Sequence, residues 1–229
     1  MINAVIFDMD GVLFDTELVF DQIWTMLAKK YGYVIQQQML NNLRGTSGKR
    51  MANIIESYWK DADGFLIIDE LFANAKAYLS QKIPLKPGVC ELIDFLWQHK
   101  MPMAVASGSF KDLVLSNLKV SGLIHYFQVI SSGDEVSSGK PEPDIFLLTA
   151  KRLCQKPQNC LVLEDGIHGV LAGIRAGCET YMVLDKVSPT KEILEKQVPI
   201  YNDLTEVLAD LKANVIKLMC THNPGHVKI

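Results

Sequence analysis

Residues 4–17 read AVIFDMDGVLFDTE, and this stretch decides the fold of the chain. Its four apolar residues, Ala4–Phe7, do not alternate with polar ones, which is typical of a strand buried on both faces. Two carboxylates, Asp8 and Asp10, follow at once. Because ligand crevices of open α/β sheets lie at the carboxyl ends of the strands, a buried strand ending in acids indicates a parallel sheet with a polar site at that edge.

The rest of the chain continues this pattern. Further short apolar runs predict strands at Met103–Ala106, Gln128–Ile130, Cys160–Leu163 and Thr180–Leu184. Helical patterns alternate with them at Gly88–His99, Phe110–Lys119, Asp144–Leu153 and His168–Ala176. Strands and helices that alternate in this way predict an α/β fold with a doubly wound, Rossmann-like parallel sheet.

One segment departs from the alternation. Between Glu17 and Gln81 the pattern is helical throughout, with apolar and aromatic anchors and no convincing strand. We therefore predict two domains: an α/β core formed by residues 1–16 and 82–229, and an inserted all-α cap formed by residues 17–81. Pro84 and the pair Pro87-Gly88 mark the return to the core, as linkers do.

Composition excludes several classes of function. The net charge is −3, from 23 Lys and Arg against 26 Asp and Glu, which gives no basic surface for nucleic acid or anionic membrane. The chain contains no apolar run of the roughly 18–20 residues that a membrane span needs. Its first residues lack the basic start of a signal peptide, so we expect a cytoplasmic protein.

The five cysteines are scattered and never spaced as CxxC. This argues against a disulfide framework or a thiolate zinc site and favours reduced thiols. Four of them lie among apolar residues, which predicts small side chains buried in the core.

Polar groups follow four of the five predicted strands of the core. Asp8 and Asp10 follow the first strand, Ser107 and Gly108 the second, Lys140 lies beyond the third, and Glu164-Asp165 end the fourth. Four carboxylates in one crevice repel one another, and hard oxygen ligands suit Mg²⁺. Lys140, the Ser107 hydroxyl and nearby backbone N–H groups can bind an anion. The set predicts a magnesium site that accepts a phosphate dianion.

Four motifs in this set resemble the haloacid dehalogenase superfamily of aspartyl-phosphate phosphotransferases, in the order and spacing of that family. They are DMDGVLFDTE at 8–17, ASGS at 106–109, GDEVSSGKPEPDIF at 133–146 and LEDGIHGVLAGIRAG at 163–177. The helical insertion resembles the small cap of the subgroup that contains β-phosphoglucomutases and phosphoglycolate phosphatase-like enzymes.

The resemblance implies a role for each core residue. Asp8 would be the nucleophile, and Asp10 the general acid that later becomes the base. Ser107, Gly108 and Lys140 would bind the transferring phosphoryl group. Mg²⁺ would be held by Asp8, the Asp10 carbonyl, Glu164 and Asp165, with Glu164 the least secure ligand because Asp165 alone can suffice.

The basic stretch at 43–50 belongs to the predicted cap. Relatives use this part of the cap to contact the far end of the substrate, which makes Arg44, Lys49 and Arg50 candidates for substrate binding. A solvated helix start with basic residues is the alternative.

Two positions depart from the family pattern. Gly166 stands where many relatives have Ser, and Phe20 stands where β-phosphoglucomutases have a His on the first cap helix. An apolar ring cannot take the part of that His. We therefore expect a monomeric, magnesium-dependent phosphatase of a small phosphorylated metabolite such as a sugar phosphate. A β-phosphoglucomutase-type mutase is the main alternative, and a catalytically dead phospho-ligand sensor is disfavoured because no catalytic position is lost.

Overall fold

The computed structural model describes residues 2–43, 46 and 48–221, with side chains as far as residue 213. The chain divides into two compact units. The core unit comprises Met1–Phe14 and Leu85–Ile229, and the helical unit comprises Asp15–Pro84. The division into domains at 17–81 stays a prediction.

The core unit is built on a parallel six-stranded sheet with the order β3-β2-β1-β4-β5-β6. This arrangement confirms the predicted doubly wound α/β fold. The first strand of the sequence lies near the centre of the sheet, where Ile6 pairs with Ala104 on one side and Val162 on the other. The strands are β1 (Ala4–Phe7), β2 (Met103–Ser107), β3 (Val129–Ser132), β4 (Cys160–Glu164), β5 (Glu179–Val183) and β6 (Ile200–Tyr201).

Helices make up the helical unit and cover the sheet of the core unit. Those of the helical unit are α1 (Thr16–Tyr31), α2 (Gln37–Leu43), α3 (Gly48–Tyr58) and α4 (Gly64–Leu79). Those of the core unit are α5 (Val89–Gln98), α6 (Lys111–Val120), α7 (Asp144–Arg152), α8 (Ile167–Arg175), α9 (Lys191–Glu195) and α10 (Leu204–Thr221). Within the described residues, no helix combines the length and apolarity that crossing a bilayer requires.

The core of the sheet forms because uninterrupted apolar strands bury both faces. All residues of β1 and β2 are buried. One face of the sheet packs against α7 through Phe146 and Ile145, and the strand side chains there are small, such as Ala104 and Ala106. Small strand residues leave room for the large ring of Phe146 at close packing density.

The helical unit has its own apolar core. Trp59 is its centre: its ring meets Trp24 edge to face at 5.8 Å and stacks on Tyr33 at 5.0 Å. The Trp59 indole also donates a hydrogen bond to the carbonyl of Val34 (3.2 Å), so its polar atom is satisfied although it is buried. Aromatic packing of this kind holds the helices of the unit together.

The cysteine prediction holds for only part of the set. Cys160 and Cys178 are buried, but Cys90 and Cys154 are exposed. Cys90 lies on the outer side of α5, and Cys154 follows the end of α7 with a φ of 56°. Apolar neighbours in sequence therefore do not decide burial, because the side chains around a helix face different environments. The side chain of Cys220 lies outside the described residues.

A substitution in β1 tests the role of the central strand. Ile6 is fully buried between two neighbouring strands, so Ile6→Ala should lower the free energy of unfolding by about 2–5 kcal/mol. Leu194→Ala removes a similar side chain that is 55% exposed and should change it by only about 0.5 kcal/mol. Urea unfolding of both variants gives the comparison, and equal losses would contradict the packing described.

Candidate active site

Lys140 connects the ends of three strands of the core unit. Its ammonium donates hydrogen bonds to the carboxylate of Asp8, at the end of β1, and to Oε1 of Glu164, at the end of β4 (2.7 Å). It also donates to the carbonyl of Ala106 in β2 (3.3 Å). The ring of Phe146 lies 5.2 Å from the ammonium. Both carboxylates are buried, so Lys140 neutralises two charges that have little contact with water.

A tight turn follows β1 and places Asp165 next to it. Gly11 donates a backbone hydrogen bond to the carbonyl of Phe14 (3.0 Å) and has a φ of +81°, which L side chains rarely adopt. A Cβ atom on Gly11 would lie only 2.3 Å from Oδ2 of Asp165. Glycine therefore allows the Asp165 carboxylate to lie directly against the turn that carries Asp10.

The loop after β2 reaches Asp10 through a serine. Ser107 is buried, and its hydroxyl oxygen accepts a hydrogen bond from the backbone N–H of Ser109 (3.1 Å). The Ser109 hydroxyl in turn donates to Oδ2 of Asp10 (3.3 Å). Gly108 between them is exposed, and a Cβ atom there would meet nothing within 4 Å. The backbone at Gly108 is thus open to a ligand.

Ser109 received no role from the sequence. The sequence feature that could have identified it is its position just after a predicted strand, next to Gly108, which was predicted to bind phosphate. The hydrogen bond to Asp10 depends on how two loops meet, which the sequence pattern does not contain.

Glu164 has partners on both carboxylate oxygens. Oε1 accepts from Lys140, and Oε2 accepts from the backbone N–H of Gly166 (2.8 Å). The residue that replaces the usual Ser at position 166 therefore still contributes a hydrogen bond, from its main chain. That Glu164 binds a metal ion stays a prediction.

Burial and neighbouring charges shift the pKa values of the ionisable groups at this edge. Burial raises the pKa of Asp8, against the opposing effect of Lys140, and the charges of Glu164 and Asp165 raise it further. Burial also raises the pKa of Asp165 to about 7, with added effects from Glu164 and Asp185. Burial would lower the pKa of Lys140, but the charges of Asp8 and Glu164 outweigh it and raise that pKa. Lys140 therefore stays protonated, and the carboxylates outnumber it.

Asp185 is a further acid that the sequence interpretation missed. It lies two residues beyond the end of β5, and its Oδ1 accepts a hydrogen bond from Lys86 (2.8 Å). Both side chains are largely buried. The rule applied to the other strands, a polar group just after an apolar run, would have found it at the end of Thr180–Leu184.

The donor chemistry of the site fits Mg²⁺. Asp8 and Asp165 offer carboxylate oxygens and Asp10 offers a backbone carbonyl oxygen, which are the ligands that this hard cation prefers, and a cation would offset the acids that outnumber Lys140. In the part of the chain that the structure describes, no three His, Cys, Asp or Glu side chains are already grouped in a way that could hold a metal. The residues are thus suited by type and charge, while the Lys140 ammonium lies between Asp8 and Glu164.

The predicted substrate-binding residues of the helical unit are placed as follows. Lys49 and Arg50 are exposed in the first turn of α3, and Arg44 lies outside the described residues. The helical unit has a cleft of about 180 Å³, whose described lining does not include Lys49 or Arg50. The described lining combines two acids and a threonine with aromatic and apolar groups, namely Glu17, Asp21, Thr46, Phe20, Trp24, Leu40, Leu43, Met51, Leu71 and Phe72.

Known proteins are similar to this chain in sequence and in fold. The sequence profile of the haloacid dehalogenase-like hydrolases matches residues 5–183. A phosphorylated carbohydrates phosphatase of Thermotoga maritima is 32% identical over 215 residues, which are 90% of this chain and 100% of that protein. Fructose-1-phosphate phosphatase YqaB of Escherichia coli is 34% identical over 179 residues, 77% of this chain and 93% of that protein.

A solved structure extends the likeness to the fold. A provisionally assigned beta-phosphoglucomutase of Thermotoga maritima has a TM-score of 0.79 and 30% sequence identity, and covers 93% of this chain and 99% of that chain. Together these matches confirm the resemblance that the four motifs indicated.

Two glycine substitutions test the contact between Gly11 and Asp165. Gly11→Ala introduces both a strained φ and a Cβ atom in the space of the Asp165 carboxylate, whereas Gly32→Ala introduces a similar φ of +74° with nothing within 4 Å. Gly11→Ala should therefore lower the free energy of unfolding by about 1–3 kcal/mol more than Gly32→Ala does. Chemical denaturation measures both, and equal losses would show that the carboxylate moves aside without cost.

Proposed function

This chain belongs to the haloacid dehalogenase-like hydrolase family, and we propose that it is a magnesium-dependent phosphatase. Its substrate would be a small phosphorylated metabolite, a sugar phosphate or similar phosphomonoester, hydrolysed through an aspartyl-phosphate. The observation that carries this proposal is the Lys140 ammonium, which binds the Asp8 carboxylate at the carboxyl edge of the sheet. The two phosphatases reported above, at 32% and 34% identity, support the same reaction class.

Asp8 would attack the phosphorus atom. One of its carboxylate oxygens forms the new P–O bond as the bond to the leaving oxygen breaks. Lys140, which lies within hydrogen-bond distance of Asp8, would bind an oxygen of the phosphoryl group, together with the Ser107 hydroxyl and the backbone of Gly108. These groups hold the phosphoryl group in line with the nucleophile and stabilise its negative charge.

Asp10 would move the protons. It donates a proton to the leaving oxygen of the metabolite, and the resulting carboxylate then removes a proton from the water that attacks the phospho-aspartate. The Ser109 hydroxyl, which donates to Oδ2 of Asp10, would keep the other oxygen of this carboxyl group directed at the reaction. Ser109 therefore joins the proposed site as a group that orients Asp10.

Mg²⁺ would be held by Asp8, the Asp10 carbonyl and Asp165. Glu164 is the least secure of the predicted ligands, because its two carboxylate oxygens already accept hydrogen bonds from Lys140 and Gly166. Bound there, the cation supplies positive charge that neutralises the phosphoryl oxygens and the nucleophile. Cytoplasmic location and a monomeric state stay predictions from the sequence.

We favour hydrolysis over a mutase reaction because of the first helix of the helical unit. Phe20 on α1 packs edge to face against Phe72 of α4, with the ring centroids 6.0 Å apart. Its neighbours Leu18 and Val19 are also apolar. A mutase must protect its phospho-aspartate from water until a sugar phosphate accepts the group, and none of these three side chains can hydrogen-bond an acid or a sugar hydroxyl.

The choice between phosphatase and mutase is tested by measuring whether the phospho-aspartate transfers its phosphoryl group to water or to a sugar phosphate. The enzyme is incubated with a panel of sugar phosphates that includes β-glucose 1-phosphate, each with a trace of its bisphosphate, and inorganic phosphate and isomer are followed together. Water should win by at least about tenfold, a difference of roughly 1.4 kcal/mol between the two barriers. Efficient isomerisation with little phosphate release would favour the mutase, and no turnover of any member would remove the phosphatase proposal.

The dependence on metal should change with pH in a defined direction. Because the pKa of Asp165 is about 7 without a cation, a proton competes with Mg²⁺ below that pH and not above it. The Mg²⁺ concentration for half-maximal rate should rise up to about tenfold per pH unit below 7 and level off above it. EDTA should abolish turnover. Asp165→Asn should need far more Mg²⁺ at every pH, and an unchanged requirement in that variant would contradict the assignment.

A further inference from the structure

We propose that Glu135 is a positioning residue for this reaction. It fixes residues 107–111, the phosphate-binding loop, which run from the last residue of β2 to the first residue of α6. It does so by binding Lys111 from the β3 loop, residues 133–143, which follows β3. The proposal rests on the proposed function, since residues 107–109 of that loop would bind the phosphoryl group and orient Asp10.

Glu135, in the β3 loop, accepts four hydrogen bonds. Its Oε2 accepts hydrogen bonds from the backbone N–H (2.9 Å) and the hydroxyl (3.0 Å) of Ser132, at the end of β3. The same oxygen accepts from the ammonium of Lys111 (3.0 Å), and Oε1 accepts from Arg152 of α7 (3.0 Å). Hydrogen bonds to Arg152 and Lys111, against the effect of burial, lower its pKa to about 2, so it is charged at neutral pH. Its position is thus fixed from β3 and from α7.

Lys111 is held from several directions by the β3 loop. Besides Glu135, its ammonium donates to the carbonyl of Ile130, and its backbone N–H donates to Oδ1 of Asp134 (3.0 Å). Lys111 is the first residue of α6, and the N-cap residue Phe110 supplies no capping hydrogen bond of its own. Asp134, in the neighbouring loop, therefore accepts a hydrogen bond from a free N–H group at the start of α6, as a capping side chain ordinarily does.

The two loops also meet through their backbones. Gly133 donates a hydrogen bond to the carbonyl of Ser109 (3.0 Å). A Cβ atom on Gly133 would lie 2.2 Å from the carbonyl oxygen of Gly108, so only glycine permits this approach. The contact places the β3 loop directly behind the residues that would bind phosphate.

Polar contacts anchor the phosphate-binding loop. Phe110 is 75% exposed and Gly108 is exposed as well, so apolar packing does not hold the middle of the loop. Ser109 nevertheless has to reach Asp10 (3.3 Å) for the orientation proposed above. A displacement of Lys111 would move the start of α6 and Ser109 with it. Loops without packing depend on such polar contacts for a single conformation.

The test compares Glu135→Ala and Glu135→Gln with Glu70→Gln. Glu70 is a matched control because it also accepts several hydrogen bonds, from Lys30 (2.7 and 2.6 Å) and Tyr31 (2.8 Å), but lies in the helical unit outside the proposed machinery. With p-nitrophenyl phosphate as substrate and orthovanadate as inhibitor, Glu135→Ala should lower kcat/KM about tenfold or more per folded molecule and weaken vanadate inhibition by a similar factor. Glu135→Gln should lie between, and Glu70→Gln should change both less than about twofold.

A double-variant cycle shows whether Glu135 acts through Lys111. If it does, Glu135→Ala combined with Lys111→Met should be no worse than the more damaging single variant, because both remove the same link. Independent losses that multiply would contradict the proposed route.

Hydrogen exchange measures the stability of the phosphate-binding loop independently of enzymatic activity. Backbone amides 108–111 should exchange about tenfold or more faster in Glu135→Ala than in the wild type, and stay unchanged in Glu70→Gln. Unchanged exchange and unchanged kcat/KM in a folded Glu135→Ala variant would overturn the proposal. If exchange is faster in Glu135→Ala but the wild type hydrolyses no phosphomonoester, the proposed function is wrong while the role of Glu135 in fixing the loop still stands.

Discussion

The bridge from Lys140 to Asp8 and Glu164 is the interaction on which the rest of the core site depends. Two carboxylates at the ends of neighbouring buried strands would each lose several kcal/mol of hydration, and their mutual repulsion would add to that cost. The ammonium compensates both, and it approaches from a loop that begins on a third strand. Removal of one partner would leave a buried charge without compensation, which is far more costly than the loss of an exposed ion pair.

The bridge also explains what the site still needs. One ammonium satisfies two carboxylates, but Asp165 remains beside them, held against the turn at Gly11, with Asp185 and its partner Lys86 nearby. Strand ends that collect acids in this way have a surplus of negative charge and of oxygen ligands. A divalent cation and a phosphate group complement each other there, because the cation offsets the acids and the ammonium with the loop after β2 receives the anion. The proposed chemistry follows from this charge pattern.

The sequence was sufficient where one local pattern carries the information. The strands β1, β2, β4 and β5 each contain a short apolar run, and the polar residues that follow most of these runs were identified for that reason. It was insufficient where two segments far apart in the chain meet: the bond from Ser109 to Asp10, the pair of Lys86 and Asp185, and the attachment of Lys111 to Glu135 depend on loop approach. The strand β6 has only two residues, too few for a pattern, and Cys90 is exposed although Val89 beside it is buried.

The central claim is that Asp8 becomes phosphorylated during turnover. Its most direct test is acid quenching of the enzyme in the steady state with p-nitrophenyl phosphate, followed by borohydride reduction and mass spectrometry of the peptide that contains Asp8. A phospho-aspartate is reduced to homoserine, so homoserine should be found at position 8, not at position 10, and should be absent from Asp8→Asn treated in the same way. Steady turnover with an unmodified Asp8, or with homoserine at another aspartate, would contradict the account.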